Sequence, residues 1–174
     1  NYSYLSGENI TKIQEGRPLF VRTPNSKMNL ANFFLTQLYA AFAPLKIGMD
    51  ILLNEEHVQT DVMVAQGGLF GTPVIGQQVL ANALNIPITI MNTASEGGPW
   101  GMAVLAKYAE TYGKESLADY LDEKVFKNPE SMTLTPEPAG VKGYESFITR
   151  YQAGLPVEAL AGDDINEREE KGSK

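Results

Sequence analysis

Two adjacent glycines, Gly67 and Gly68, are the residues whose type and position best suit ligand binding in this sequence. They follow an apolar run at residues 61–66, which predicts a buried strand, and precede Thr72 and Pro73, which predict an N-cap and a first helical residue. Because glycine has no Cβ, a ligand can approach this main chain closely, and the amides that open a helix favour an anion such as a nucleotide phosphate. The same pattern is also typical of a tight strand-to-helix turn that binds nothing.

The glycine pair does not belong to either of the common phosphate-binding loops. A Walker loop requires G-x-x-x-x-G-K-[ST], but the Gly-Lys pair of this sequence, Gly113-Lys114, is followed by Glu115. Residues 67–71 lack the G-x-G-x-x-G spacing of a Rossmann fold. A nucleotide bound here must therefore be held by another geometry.

Candidate catalytic groups are scarce in this chain. Its 174 residues include no cysteine and one histidine, His57, which excludes disulfides, thiolate nucleophiles and cysteine-ligated zinc. His57 follows a predicted helix and is expected to be an exposed helix end rather than a ligand or a general base. No two carboxylates stand at an informative spacing. We predict that the chain carries neither a catalytic residue nor a metal site.

The charge balance of the chain narrows the class of partner. Lys and Arg together number 14 against 21 for Asp and Glu, which gives a net charge of −7. Such a field repels phosphate backbones and anionic membranes, so we expect neither nucleic acid nor a membrane as partner. The sequence begins Asn1-Tyr2-Ser3-Tyr4 rather than with Met, which we interpret as the start of a fragment of a longer protein.

The elements before the glycine pair are predicted from hydrophobic periodicity. Residues 18–22 form a short strand candidate, and Asn25 or Ser26 is expected to cap the helix that follows. Apolar residues at three- and four-residue spacing predict an amphipathic helix over residues 28–53. Pro44 has no N–H to donate, so a kink or break is expected just before it.

The elements around and after the glycine pair predict a covered sheet with a parallel pair of strands. The predicted strands are residues 61–66 and 87–92, and a helix ending near Leu84 connects them. The elements predicted after residue 92 are a helix from Pro99 to about Ala109, a short helix at 117–125, an edge segment at 132–135 and a final helix at 144–155. Residues 1–162 are predicted to form one domain, and the charged residues 163–174 a disordered tail.

A second glycine-rich segment follows the second predicted strand. We call each such segment, the one at residues 67–71 and this one at residues 97–101, a glycine-rich exit from its strand. Gly98, Gly101 and Ala103 would let the start of the next helix approach its neighbours closely. Glu96 lies just before this helix, where a carboxylate is favoured by the helix dipole, so a structural cap is its expected role. Trp100 either lines a pocket or fills the core, and packing in the core or between domains is its expected role.

A longer pattern surrounds the glycine pair, and its order can be compared with known families. Its remaining members are Gln77 and Ala81 on the predicted helix, the strand residues 88–91, Glu96, and the run Gly-Met-Ala-Val-Leu-Ala at 101–106. This order resembles the carboxy-terminal domain of the FGGY carbohydrate kinases, in which Ala-Asp stands where this chain has Ala81-Asn82. The resemblance extends over residues 23–152, with residues 61–106 as its most specific part.

The resemblance implies an α/β fold: the carboxy-terminal part of an actin-like, ribonuclease H-like ATPase domain, with helices packed on a short, mainly parallel sheet. It implies transfer of the γ-phosphoryl group of ATP, with Mg²⁺, to a hydroxyl of a small sugar such as the ketopentoses xylulose and ribulose. It further implies a cytoplasmic protein that contains the missing amino-terminal domain, and it leaves a homodimer open. The resemblance places five residues at the nucleotide: Gly67, Gly68, Leu69, Phe70 and Thr72.

In this family the catalytic Asp lies upstream of the part resembled here, so the isolated chain is expected to be inactive. Two other functions remain open at this point. One is a non-catalytic nucleotide or sugar sensor on the same actin-like framework. The other is a Rossmann-like enzyme such as a methyltransferase, although the second strand ends at Asn92 rather than at the acidic residue expected there.

Overall fold

The computed structural model describes residues 1–72, 74–111, 113–127 and 130–172, with side chains described as far as residue 163. The chain divides into two units. The first contains residues 1–60, 82–84 and 137–174, and the second contains residues 61–81 and 85–136.

A three-stranded mixed sheet forms the second unit's framework. Its strands are β1 (Met63–Val64), β2 (Ile88–Met91) and β3 (Ser131–Leu134), with β2 in the middle. β1 pairs with β2 in parallel, as predicted, but it is two residues long rather than six, and Val64 is exposed, so the predicted buried strand over residues 61–66 is wrong in length and burial. The edge strand β3 pairs with β2 in the antiparallel sense. Ile88 and Ile90 are buried while the residues that alternate with them are half-buried, so one face of β2 faces the core.

The helices of this part of the chain follow the predicted order. α2 (Ile75–Leu84) connects β1 to β2, and α3 (Gly97–Ala109) follows β2. α4 (Leu117–Tyr120) continues into one π-helical turn at Leu121–Val125. The predicted ends of α2 and α3 are confirmed, and α3 begins two residues before the predicted Pro99.

The buried side chain of Gln77 ties α2 to the sheet. Its Nε2 donates to the carbonyl oxygen of Ile88 at 2.7 Å and to that of Met132 at 2.8 Å. One side chain thus links the helix after the glycine pair to both the middle and the edge strand. The position of that helix is therefore fixed by the sheet.

The first unit contains α1 (Leu30–Asp50), whose start differs from the prediction. Asn29 is the N-cap, and its side chain accepts a hydrogen bond from the N–H of Asn32 at 2.8 Å. The predicted caps Asn25 and Ser26 are therefore wrong. All three residues can cap a helix, so residue type alone did not separate them.

α1 also runs through Pro44 without ending, so of the predicted kink or break the break is wrong, and the kink stays a prediction. A proline inside a helix costs roughly 3 kcal/mol. Ala40, Phe42 and Ala43 are buried immediately before it, and their packing offsets that cost. After Asp50 the chain makes one π-helical turn, Ile51–Glu55.

An aromatic cluster joins α1 to α5 (Pro138–Gly172) within the first unit. The rings of Tyr39 and Tyr144 are 4.9 Å apart between centroids, and the Tyr144 hydroxyl donates to the carbonyl oxygen of Tyr39 at 3.1 Å. The ring of Phe147 lies 5.2 Å from that of Tyr39. Tyr144 is completely buried, and burial raises its pKa well above the ordinary value.

The first residues of the chain pack on α5 rather than forming a strand. The predicted strand at residues 18–22 is reduced to one isolated bridge between Tyr2 and Leu19. The Tyr2 hydroxyl donates to the carbonyl oxygen of Tyr151 at 2.8 Å, and the Tyr4 and Tyr151 hydroxyls are hydrogen-bonded to each other. Long-range tyrosine contacts, which no local pattern encodes, thus hold this segment.

α5 is longer than the predicted helix at residues 144–155, and its backbone continues through much of the predicted tail. The last two residues and the side chains of residues 164–172 lie outside the described part of the chain. Disorder of residues 163–174 and a single domain over residues 1–162 stay predictions. In the part of the chain that the structure describes, no helix is both long enough and apolar enough to cross a membrane.

Candidate functional site

The glycine pair opens a 3₁₀ turn, and residues 67–71 are called the glycine turn below. Gly67 has φ +129° and ψ 167°, a conformation that residues with a Cβ avoid, and Gly68 begins the turn that ends at Gly71. The N–H of Gly67 donates to the carbonyl oxygen of Ala94 at 2.8 Å, and the N–H of Phe70 donates to the carbonyl oxygen of Gly67 at 3.0 Å. Those two amides are therefore already used inside the protein.

The outer side of the glycine turn is open. A Cβ built on Gly67 or Gly68 would meet no atom within 4 Å. The amides of Gly68 and Leu69 donate to no other residue that the structure describes, and both residues are exposed. A ligand can therefore lie against this main chain and accept hydrogen bonds from two adjacent N–H groups.

The other residues predicted at the site surround these amides. Leu69 packs on α2, because a Cβ on Gly76 would lie 3.1 Å from the Leu69 carbonyl oxygen and 3.2 Å from its Cγ. Its side chain is nevertheless 40% exposed, which leaves apolar surface beside the free donors. Phe70 is half-buried, and Thr72 is exposed with an extended backbone.

The start of α2 differs from the prediction. Thr72 is not its N-cap; that position belongs to Val74, whose side chain makes no capping hydrogen bond. The predicted first helical residue, Pro73, lies outside the described residues. Val74 has φ +72° and ψ −54°, an uncommon conformation for a β-branched residue and therefore a strained one.

The second glycine-rich exit is in direct contact with the first. A 3₁₀ turn at Ala94–Glu96 leads into α3, and Gly97 packs against the side chain of Gln66. A Cβ on Gly97 would overlap the Gln66 Oε1 atom and lie 2.8 Å from its Cδ. Sequence reasoning missed this contact, although Gly97 stands next to the glycines that it did single out.

Gly98 and Gly101 do not make the close contacts predicted for them. A Cβ on either would meet nothing within 4 Å, so that prediction is wrong for the described chain. Glu96 does occupy the N-cap position of α3, but its side chain makes no capping hydrogen bond. Trp100 is half-buried, and its ring centroid lies 5.6 Å from that of Phe126, so its expected core or interdomain packing stays a prediction.

The geometry of the glycine turn offers binding through its main chain. His57 is exposed immediately after the π-helical turn that follows α1, as predicted. Across the described ranges, no three His, Cys, Asp or Glu side chains stand close enough together to hold a metal ion. The arrangement can receive a ligand on two main-chain donors next to an apolar side chain.

Comparison with known protein families gives a match over the part of the chain that contains the glycine turn. The family model described as FGGY family of carbohydrate kinases, C-terminal domain, matches residues 1–110 of the 174. The match includes α1, both glycine-rich exits and α3. It begins before residue 23 and ends before the closing part, residues 141–152, of the resemblance drawn from the sequence. No curated protein and no solved structure gives a significant match to the chain.

Proposed function

We propose, on the premise that this chain belongs to the FGGY family of carbohydrate kinases, that its glycine turn receives the adenosine end of ATP. The C-terminal domain of this family has the actin-like, ribonuclease H-like ATPase fold, and the family phosphorylates sugars. The chain therefore belongs to a phosphotransferase, and its proposed part in the reaction is to bind the adenosine end of ATP.

One observation carries the proposal: the main chain at Gly68 is open on its outer side and presents two free amides. A ribose or phosphate oxygen can accept from the N–H groups of Gly68 and Leu69. The exposed part of the Leu69 side chain can lie against the adenine ring. The residues present thus fit a nucleotide.

Phosphoryl transfer depends mainly on placement and on neutralising charge, so a domain that binds and orients ATP serves catalysis without a reactive side chain. The family acts on ATP with Mg²⁺, but the described residues build no metal site, and we assign no magnesium ligand to this chain. We propose that the catalytic Asp lies in another part of the protein and that the isolated chain is inactive.

The acceptor that we propose is a ketopentose such as xylulose or ribulose, supported by the resemblance of residues 61–106 to the sugar kinases. Cytoplasmic location is proposed on the same ground, and a homodimer stays open. If the isolated chain consumed ATP in a sugar-dependent way, the catalytic Asp could not lie in another part of the protein, as we propose. A panel of pentoses and pentitols with the intact protein would identify the acceptor.

The central test replaces Gly68 by Val in the intact protein. The β-branched side chain would fill the open space over the turn, so we expect ATP to bind at least tenfold more weakly, measured by titration calorimetry. Ala118→Val introduces the same final side chain at an exposed residue of α4 and should leave the affinity unchanged. If Gly68→Val and the unsubstituted protein bound ATP with equal affinity, ATP would not bind at the glycine turn.

The same protein also distinguishes a kinase from a sensor. Both would show saturable binding of ATP, but a kinase accumulates a phosphorylated sugar. Mass spectrometry of the sugar after incubation with ATP detects that product directly. Binding without product in the intact protein would favour the sensor.

A further inference from the structure

A cavity of about 750 Å³ lies within the first unit, away from the glycine turn in the sequence. Its walls come from Asn1 and Tyr2, from the segment 20–28, from the first half of α1 and from α5. Cavities that hold small molecules are typically about 300–1,000 Å³. The proposed nucleotide site uses none of its residues.

Aromatic rings form much of the cavity wall. The centroids of Phe20 and Phe33 are 5.4 Å apart, those of Tyr39 and Phe147 are 5.2 Å apart, and those of Phe147 and Tyr151 are 5.7 Å apart. These rings hold one another in place, while Phe20 remains 38% exposed. A flat ring can therefore lie against walls that are already ordered.

The charges along the cavity all have one sign. Arg22, Lys27 and Arg150 line it, and no Asp or Glu is among its lining residues. None of the three cations forms an ion pair within the part of the chain that the structure describes. Arg150 donates from Nε and Nη2 to Ser146, one turn earlier on α5, and this contact orients the guanidinium without neutralising it.

This clustering contrasts with the net charge of −7 on the whole chain. An anion that approaches the protein is repelled by most of its surface and attracted by this cavity. The aromatic walls add affinity for a ring, and the arginines can also stack on its face.

We propose that this cavity binds a small organic anion that carries a planar ring, such as an aromatic phosphate or carboxylate. The ring lies among Phe20, Phe33 and Phe147, and the anionic group meets Arg22, Lys27 or Arg150. The proposal does not depend on the kinase assignment, because the cavity is lined by none of the residues of the glycine turn.

The test titrates the 174-residue chain with 1-naphthyl phosphate and follows binding by calorimetry. Three matched probes separate the contributions: 1-naphthol has the ring without charge, 1-naphthylmethylamine has the opposite charge, and inorganic phosphate has no ring. We expect 1-naphthyl phosphate to bind about tenfold or more tightly than any of the three. Comparison with 1-naphthoate then tells whether the cavity prefers phosphate or carboxylate.

Charge variants locate the binding. Arg150→Gln should weaken binding of 1-naphthyl phosphate about fivefold, whereas Lys142→Gln should change it less than twofold. The control removes the same charge from α5 at an exposed residue that does not line the cavity. Equal effects of the two substitutions would overturn the proposal.

A filling variant gives a second measurement. Ala153→Trp should abolish binding, and Gln152→Trp, its exposed neighbour outside the cavity lining, should preserve it, with circular dichroism confirming that both are folded. Gly68→Val should also preserve it. The proposal fails if 1-naphthol binds as tightly as 1-naphthyl phosphate, if no probe binds, or if Gly68→Val alone removes binding. Should Ala153→Trp not fold, the pair Arg150→Gln and Lys142→Gln decides.

Discussion

Glycines serve opposite purposes in two regions of this protein. At Gly68 the missing Cβ leaves open space with no atom within 4 Å, so a ligand can reach the main chain. At Gly16 a Cβ would overlap the Cβ of Tyr4 and lie 2.7 Å from the carbonyl oxygen of Ser6, so the protein itself fills the space. The lesson is that the surroundings of a glycine, and not its presence, separate a binding loop from a packing contact.

The largest effect that we predict is a loss of stability at Gly16, where other atoms of the protein already occupy the space of a Cβ. Gly16→Ala should lower the free energy of unfolding by about 3 kcal/mol, because the new Cβ meets backbone and Cβ atoms that cannot rotate away. Chemical denaturation followed by circular dichroism measures it. Gly98→Ala, whose Cβ meets nothing within 4 Å, should be neutral or slightly stabilising. If both variants lost a similar free energy of unfolding, the space around a glycine would not decide the cost of adding a Cβ.

The stability of the protein at alkaline pH tests whether the buried tyrosines of the first unit are shielded from water. Burial raises the pKa of Tyr2, Tyr144 and Tyr151 above the ordinary 10.0. In the unfolded chain these phenols lose their protons near pH 10, whereas in the folded chain they keep them. The free energy of unfolding should therefore be steady below pH 9 and fall above pH 10, by about 1 kcal/mol near pH 11 for each of Tyr144 and Tyr151.

Urea denaturation at a series of pH values measures that fall. Tyr144→Phe should make the fall above pH 10 smaller, because phenylalanine has no proton to lose. Equal free energies of unfolding at pH 8 and pH 11 would show that these tyrosines are accessible to water.

Gly97 combines the two situations. A Cβ there would meet Gln66, and Gln66 is followed directly by Gly67 and Gly68, where a Cβ would meet nothing within 4 Å. Gly97→Ala should displace Gln66, which precedes the glycine turn, and weaken ATP binding to the intact protein about tenfold. The free energy of unfolding should change by about 1 kcal/mol at most. Adding Gln66→Ala removes the two nearest atoms that the new Cβ would meet, Oε1 and Cδ, keeps only the Gln66 Cβ at 3.2 Å, and should restore most of the affinity in calorimetry. Unrestored affinity would show that Gln66 does not transmit the effect.

The smallest effect concerns Val74, which begins α2 with a positive φ. Val74→Gly should raise the free energy of unfolding by up to about 1 kcal/mol, because glycine adopts this conformation without strain. Thermal denaturation measures the gain. Val74→Ala keeps a Cβ and should give less of it, and equal stability of the two variants would show that Val74 is unstrained.

Much of the second unit could be predicted from local patterns. The apolar run at residues 87–92 became β2, and the glycine-marked exits led into α2 and α3 as expected. These features depend on hydrophobic periodicity and on turn residues, whose effects act over a few positions. The edge strand β3 was recognised for the same reason, and pairing with β2 defined its antiparallel direction.

Helix starts were predicted less well, because several neighbouring residues offered the same capping chemistry. Asn25, Ser26 and Asn29 can all accept an N–H, and the fold uses Asn29. Thr72 was the better capping residue by type, yet Val74 occupies the N-cap of α2. The local preference of about 1 kcal/mol was smaller than the packing energy that positions each helix.

Composition and order along the chain determined the fold class, the family and the absence of cysteine chemistry, because those depend on residue types and on their spacing. The tertiary structure alone decided that Gly68 is open while Gly97 is filled by Gln66, and that Arg22 and Arg150, 128 positions apart in the printed sequence, line one cavity. Space and charge at a site come from residues distant in sequence, and a local pattern carries no information about those neighbours.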